Sequence, residues 1–214
     1  MQLFHYHWWT DKLEDMENFY HQLGFETTIR VGKYNGEMQT FHPPLKWDDF
    51  RDKGITFRII EMVKGQTNIT FGHGKKDMFD HIGLLVDETE YTEIMGKAKE
   101  LNWRINEGDR RTFIFTPWHF KIELQKRNDV ISKDKHTFID TIEIDIPFKE
   151  NPELIGSLLN LDTYQQNNDQ VKVGDNNWNI VLCNSADTRL KSVYFSDGNI
   201  NESDPVGAHL KSSK

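Results

Sequence analysis

Three histidines and a glutamate fall at strand positions where side-chain chemistry has structural consequences. In FDHIGLLV (79–86), Ile82, Leu84 and Val86 alternate with His81, Gly83 and Leu85, the two-residue period of a β-strand. His81 therefore lies opposite the apolar stripe. In TPWHFKIEL (116–124), Glu123 opposes Phe120, Ile122 and Leu124. A carboxylate on the inner side of a core strand is costly unless it is paired or holds a metal. Near the N-terminus, His5, His7 and Trp9 share one strand face, and Phe4, Tyr6 and Trp8 the other. Glu61, in RIIEMV, fits either a solvated sheet edge or an inner position. A single strand histidine is usually an ordinary hydrogen-bonded residue, so the weight rests on recurrence.

The segment around His81 recurs. A shift of 60 positions, without gaps, carries Asp80 onto Asp140, Ile82 onto Ile142, Leu84 onto Ile144, Gly96 onto Gly156 and Trp118 onto Trp178. The same shift turns His81 into Thr141 and Glu123 into Cys183. The third copy keeps the apolar pattern and drops both polar residues, so the fold does not need them. Internal repeats dictate architecture. The expected fold class is α+β, with tandem βαβββ modules: two complete (1–66 and 78–126, together 1–126) and a third, partial module within 127–214.

In module one the pattern predicts a strand over 2–9, a helix over 13–22 ended by Gly24, strands over 26–31 and 37–42 joined through Gly32 to Gly36, and a strand over 55–63. The two prolines and charges of 43–54 read as an insertion loop. Residues 64–77 read as a Gly/Lys-rich linker with a short strand at 67–71. Module two predicts a helix over 89–101 and strands near 103–106, 111–116 and 119–125. Residues 126–137 read as a polar linker. Module three begins at Phe138, with a helix start at Asn151-Pro152-Glu153. Its strands fall near 170–174 and 178–183. One more strand at 189–196 reads as the stub of a fourth module, and the polar tail from Gly198 to Lys214 is expected to fray.

LFHYHWWTDKLEDMENFYHQLGF (3–25) resembles the first module of the vicinal-oxygen-chelate superfamily, through its strand-initial His, the Phe19-Tyr20 pair and Leu23-Gly24-Phe25. HIGLLVD (81–87) and TPWHFKIEL (116–124) resemble the second module. That superfamily includes glyoxalase I, extradiol dioxygenases, fosfomycin-resistance enzymes and bleomycin-binding proteins. The resemblance implies a metal site whose ligands come from the first and last strands of each module. Carried over by position, it gives His5, Glu61, His81 and Glu123, with His7 as the alternative to His5. Two imidazoles and two carboxylates suit one divalent ion, Zn, Ni, Co, Mn or Fe, without choosing among them.

The implied activity is that of a glyoxalase-like isomerase or lyase acting on a small molecule chelated through vicinal oxygens, with Glu123 and Glu61 as catalytic carboxylates. One alternative is an Fe(II) extradiol-type dioxygenase on His5, His81 and Glu123. Against it, Phe113 stands near the position of a required Tyr, and no His lies between 82 and 118. The other alternative is a non-enzymatic, drug-binding protein of the bleomycin-resistance kind. His119 and Thr116 depart from the family's D-P-x-G turn before the final strand.

A formal net charge of −8 over 214 residues argues against nucleic-acid or anionic-membrane partners. The expected partner is a small-molecule substrate, with a homodimer as a further possibility. Cys183 is the only cysteine, which suits a cytoplasmic location and reads as a small buried apolar residue. No signal peptide and no transmembrane run is visible.

Overall fold

The computed structural model describes residues 1–132, 136–196 and 198–213, with the backbone alone at 165 and 166. Part of the expected linker, 133–135, and the last residue of the expected tail lie outside these. In chain order the elements are β1 (Gln2–Thr10), α1 (Leu13–Gln22), β2 (Glu26–Tyr34), β3 (Glu37–Phe41), β4 (Thr56–Lys64), β5 (Thr67–His73), β6 (Met78–Leu85), α2 (Glu88–Glu100), β7 (Ile105–Glu107), β8 (Thr112–Phe115), β9 (Lys121–Gln125), β10 (Ile139–Ile146), α3 (Leu154–Leu159), β11 (Asp162–Asn167), β12 (Gln170–Gly174), β13 (Asn179–Asn184), β14 (Arg189–Phe195), β15 (Asn201–Ser203) and β16 (His209–Ser212).

These strands form two sheets. The larger has the order β3-β2-β4-β5-β1-β6-β9-β8-β7, and the smaller β11-β12-β13-β10-β14-β16-β15. Both follow one rule. A module's first strand pairs in parallel with its last (β1 with β5, β6 with β9, β10 with β13), and two first strands pair antiparallel at the centre (β1 with β6, β10 with β14). The fold is α+β, built of βαβββ modules.

Local chemistry explains the boundaries. Leu13, Met16 and Tyr20 recur at helical spacing and are buried on the sheet. Gly24, at φ +83, makes the left-handed turn that leads into β2. Asp87 caps α2 by accepting from the Glu90 amide at 2.9 Å, and Glu90 returns the bond to the Asp87 amide. His119 takes φ 66, a left-handed position that non-glycine residues seldom adopt, in the turn that leads into β9.

Four sequence expectations change. The short strand expected at 67–71 is longer than expected: β5 runs to His73 and closes module one beside β1. The turn between β2 and β3 is the two-residue Asn35-Gly36, both at positive φ, with Gly32 inside β2. The helix of module three starts at Leu154, after a turn in which the Asn151 side chain accepts from the Glu153 amide at 3.0 Å. The tail pairs instead of fraying: β16 runs parallel to β14, and β14, β15 and β16 make a helix-free fourth module. Buried Asp204 holds this tail, accepting from the Ala208 amide at 2.8 Å and from the Tyr20 hydroxyl at 3.1 Å. The helical faces of the two sheets meet, with Phe25 against Phe195 and α2 against α3. That leaves the opposite face of the larger sheet free of helices.

Candidate metal centre

Two rows of cross-strand neighbours cross this helix-free face, because residues paired across strands point the same way. One row runs Ile29, Glu61, Thr70, His7, His81, Lys121, Phe115. The next runs Asn68, His5, Gly83, Glu123, Phe113, Asn106. His5 and His7 come from β1, His81 from β6 and Glu123 from β9. All four are 2–4% exposed.

The ligand atoms of His5, His7 and His81 lie within 4.8 Å of one another. His5 Nε2 is 3.1 Å from His81 Nε2, and His81 Nε2 is 3.2 Å from Glu123 Oε2. The far nitrogens settle the tautomers. His81 Nδ1 donates to Asp80 Oδ2 at 2.8 Å, and His5 Nδ1 donates to the Asn68 carbonyl at 3.0 Å. With those protons directed outward, two imidazole lone pairs and a carboxylate oxygen converge on one point. Thr70 Oγ1 lies 3.3 Å from His5 Nε2 and Arg111 Nη1 3.3 Å from Glu123 Oε2, and a further positive charge at that point, a metal ion or an extra proton, would favour the arrangement more. His7 adds a third nitrogen: its Nδ1 is 2.6 Å from Thr70 Oγ1, and its buried Nε2 has no partner.

Gly83 supplies the room. It sits between His5 and Glu123 in its row, and a Cβ there would lie 2.7 Å from His5 Cβ and 2.9 Å from Phe4 Cε1. An imidazole set, a carboxylate and a cradle that one methyl group would fill together fit a divalent cation.

Two β-bulges frame the site. The β1–β6 register slips once between Leu3 and His5 and again between His7 and Trp8, leaving Phe4 and Asp80 as the extra residues. The second slip is what turns Asp80 to the side of its neighbour His81. There Asp80 also accepts from Lys121 Nζ, at 2.7 and 2.8 Å. Phe4 stacks on the His5 ring at 5.4 Å, where strict alternation expects it on the opposite face.

Electrostatics keeps these groups in ligand form. Burial pushes the His5 imidazole down to about 4, against the pull of Glu123. Burial, reinforced by His81 and His5, holds His7 well below its usual value. For Glu123 burial alone would raise the carboxyl, but contact with His81 and the charges of His5 and Arg111 outweigh it and hold it at about 2. Asp80 is held low in the same way by His81 and Lys121, against its own burial.

Among the residues expected at the site, His5, His7, His81 and Glu123 are brought together and Glu61 is not. Glu61 lies on β4, half-buried, accepting from Thr28 Oγ1 at 2.5 Å. It was placed at the site as a residue of module one's last strand, but that strand is β5. There Thr70, opposite His7, holds the place that Glu123 holds opposite Gly83. The sequence reading missed Asp80, Gly83, Thr70 and Arg111, whose Nη1 donates to Glu123 Oε2 at 3.3 Å. Cys183 is buried on β13, as expected, and burial raises its thiol. No helix among the described residues is long and apolar enough to cross a membrane.

No family model and no curated protein matches the sequence. Solved structures do. The Mn(II)-bound glyoxalase from Novosphingobium aromaticivorans aligns with a TM-score of 0.68 at 10% identity, over 99% of this chain and 81% of that one. The 2,3-dioxygenase LapB of a Pseudomonas species gives 0.67 at 12% identity, over 99% and 91%. A hypothetical protein from Staphylococcus aureus gives 0.62 at 9% identity, over 99% and 98%.

Proposed function

Taking the vicinal-oxygen-chelate fold as the premise, we propose that the chain is a divalent-metal-dependent enzyme of glyoxalase-like type, an isomerase or lyase. Its substrate is a small molecule gripped through two neighbouring oxygens. The observation that carries this reading is that His5, His7 and His81, all buried, present ligand atoms within 4.8 Å of one another, with Glu123 Oε2 3.2 Å from His81 Nε2 and the His5 and His81 ring protons directed away.

His5, His81 and Glu123 would hold the ion, with His7 as a further nitrogen. This donor set suits Zn, Ni, Co, Mn or Fe. The ion supplies Lewis acidity toward the substrate's two neighbouring oxygens. Glu123 is the proton carrier: its carboxyl is held well below the usual range and accepts from Arg111. It would take a proton from the carbon beside a carbonyl and return it to the neighbouring carbon. With Glu61 committed to Thr28, this shuttle uses one carboxylate instead of two. Asp80 and Lys121 fix the His81 ring. Phe113, opposite Glu123 in its row, offers no hydroxyl proton, which weighs against ring-cleaving oxygen chemistry.

The test starts with metal analysis of protein purified without a metal-affinity tag. Hemithioacetal isomerisation is then measured with several divalent ions, beside oxygen uptake with catechol under Fe(II). His81→Ala should lose metal and activity together. Glu123→Gln should abolish turnover while keeping some metal. Activity that survives complete chelation, an unchanged rate in Glu123→Gln, or catechol-dependent oxygen uptake would overturn the proposal.

A further inference from the structure

The helix-free face is chemically lopsided on the two sides of the candidate centre. On the module-one side, Ile29 and Val31 of β2 and Ile59 of β4 present half-buried aliphatic side chains along the row that leads to Glu61. On the module-two side, Arg104 just before β7, Arg111 just before β8 and Lys121 at the start of β9 lie over the phenylalanine rings of β8. Lys121 Nζ is 5.6 Å from the centroids of both Phe113 and Phe115, the Arg104 guanidinium carbon is 3.9 Å from that of Phe115, and that of Arg111 is 5.3 Å from Phe113. The Phe113 ring meets His81 edge-on at 5.1 Å, so this wall begins at the centre itself.

A cavity of about 370 Å³ is lined by Asn106, Gly108, Asp109, Arg110, Arg111 and Phe113, two guanidinium groups against one carboxylate. Arg111 touches both this cavity and Glu123. Arg104 makes no ion pair among the described residues, so its charge is uncommitted except to the Phe115 face. Cations held on aromatic faces are already oriented and partly stripped of water, which favours an incoming anion over bulk solvent. The chain as a whole carries −8, so this local excess of guanidinium runs against its general charge.

We infer that the substrate of the site is an organic anion whose carboxylate or similar group is drawn to the module-two wall, where Arg111 lines the cavity beside Phe113 and Arg104 lies on the Phe115 ring. This names the substrate class for the centre proposed above and rests on that reading. The wall of cations does not depend on a bound ion, so the two can be tested apart.

The probes are 2-naphthoate and its neutral amide, 2-naphthamide, matched in shape and without vicinal oxygens. Each is titrated by calorimetry into the full-length protein as purified and again after EDTA treatment, with metal content measured on the same samples. The expected result is that naphthoate binds at least about tenfold more tightly than the amide in both samples. This margin should shrink as salt rises. It should fall below about twofold in Arg104→Gln/Arg111→Gln, a variant whose unchanged melting temperature would show that it folds. Equal affinity for the two probes in the parent protein, or an undiminished margin in the double variant, overturns the inference. Absence of divalent metal with the margin intact leaves the anion wall standing and removes the metal centre, so the two failures are distinguishable.

Discussion

Gly83→Ala offers a graded test of the candidate centre without removing any ligand. The added Cβ would stand 2.7 Å from His5 Cβ and 3.0 Å from His5 Cδ2. Carbon atoms in good contact sit roughly 3.5–4.0 Å apart, so His5 must retreat by about 1 Å. A metal–nitrogen bond of roughly 2.0–2.1 Å tolerates errors of about 0.2 Å. The ion can therefore be bound well only by forcing His5 back against the new methyl. Overpacking of this kind costs about 1–3 kcal/mol. In the metal-free protein His5 relaxes and most of that cost disappears. In the loaded protein it returns as weaker binding, roughly 5–150-fold in affinity. Metal competition titration reads this directly, and denaturation with and without EDTA should show the loss concentrated in the loaded form. Gly156→Ala is the control. Its Cβ would lie 2.0 Å from Thr163 Oγ1, in the other sheet, so it should destabilise both forms equally and leave metal affinity alone. Undiminished affinity in Gly83→Ala would show that the ion does not need His5 where it stands.

Three further outcomes follow. Asp80→Asn removes the carboxylate that orients the His81 ring and should weaken metal binding by about 10–100-fold, read by the same titration. Glu61→Gln should leave metal content unchanged, because its carboxylate is committed to Thr28; a stoichiometric loss would return Glu61 to the ligand set. The metal-free protein should lose stability on acidification between pH 6.5 and about 4. His5 is buried neutral with its pKa depressed, so below 6.5 the unfolded chain takes up the proton first and stability falls with pH. His5 alone contributes up to about 3 kcal/mol, and urea denaturation at pH 7 and pH 4.5 checks it.

What was legible in the sequence was periodic. His81, Glu123 and the His5/His7 pair stood opposite apolar stripes, and the structure puts all four on one face. What stayed hidden broke a period or depended on distant partners. Thr67 to Phe71 alternates polar and apolar, but its polar residues Asn68 and Thr70 face His5 and His7 instead of solvent. The short strand expected at 67–71 is present and runs on to His73, and it, instead of the strand that carries Glu61, closes module one beside β1. Asp80 carries no signal of its own in the sequence, since its place beside His81 comes from a bulge that strict alternation does not contain. The tail looked frayed because it has few apolar residues. Its order comes from Asp204 meeting Tyr20, a contact 184 positions away in sequence that no local pattern announces.

The central position of β1 shapes the order in which this chain can assemble. Its neighbours are β5 and β6, residues 67–73 and 78–85, so neither edge of β1 can be satisfied until that stretch has been made. At a synthesis rate of roughly 5–20 residues per second, an apolar strand carrying Trp8 and Tyr6 waits about 4–16 s with both edges open. His5 and His7 wait with it. During that interval the nascent chain presents a template for wrong pairing, and a holdase acting on the first 80 or so residues would protect it. β10 repeats the predicament in the second sheet, since its partners β13 and β14 also follow it. The chain is thus assembled in two delayed closures, each triggered from its C-terminal side.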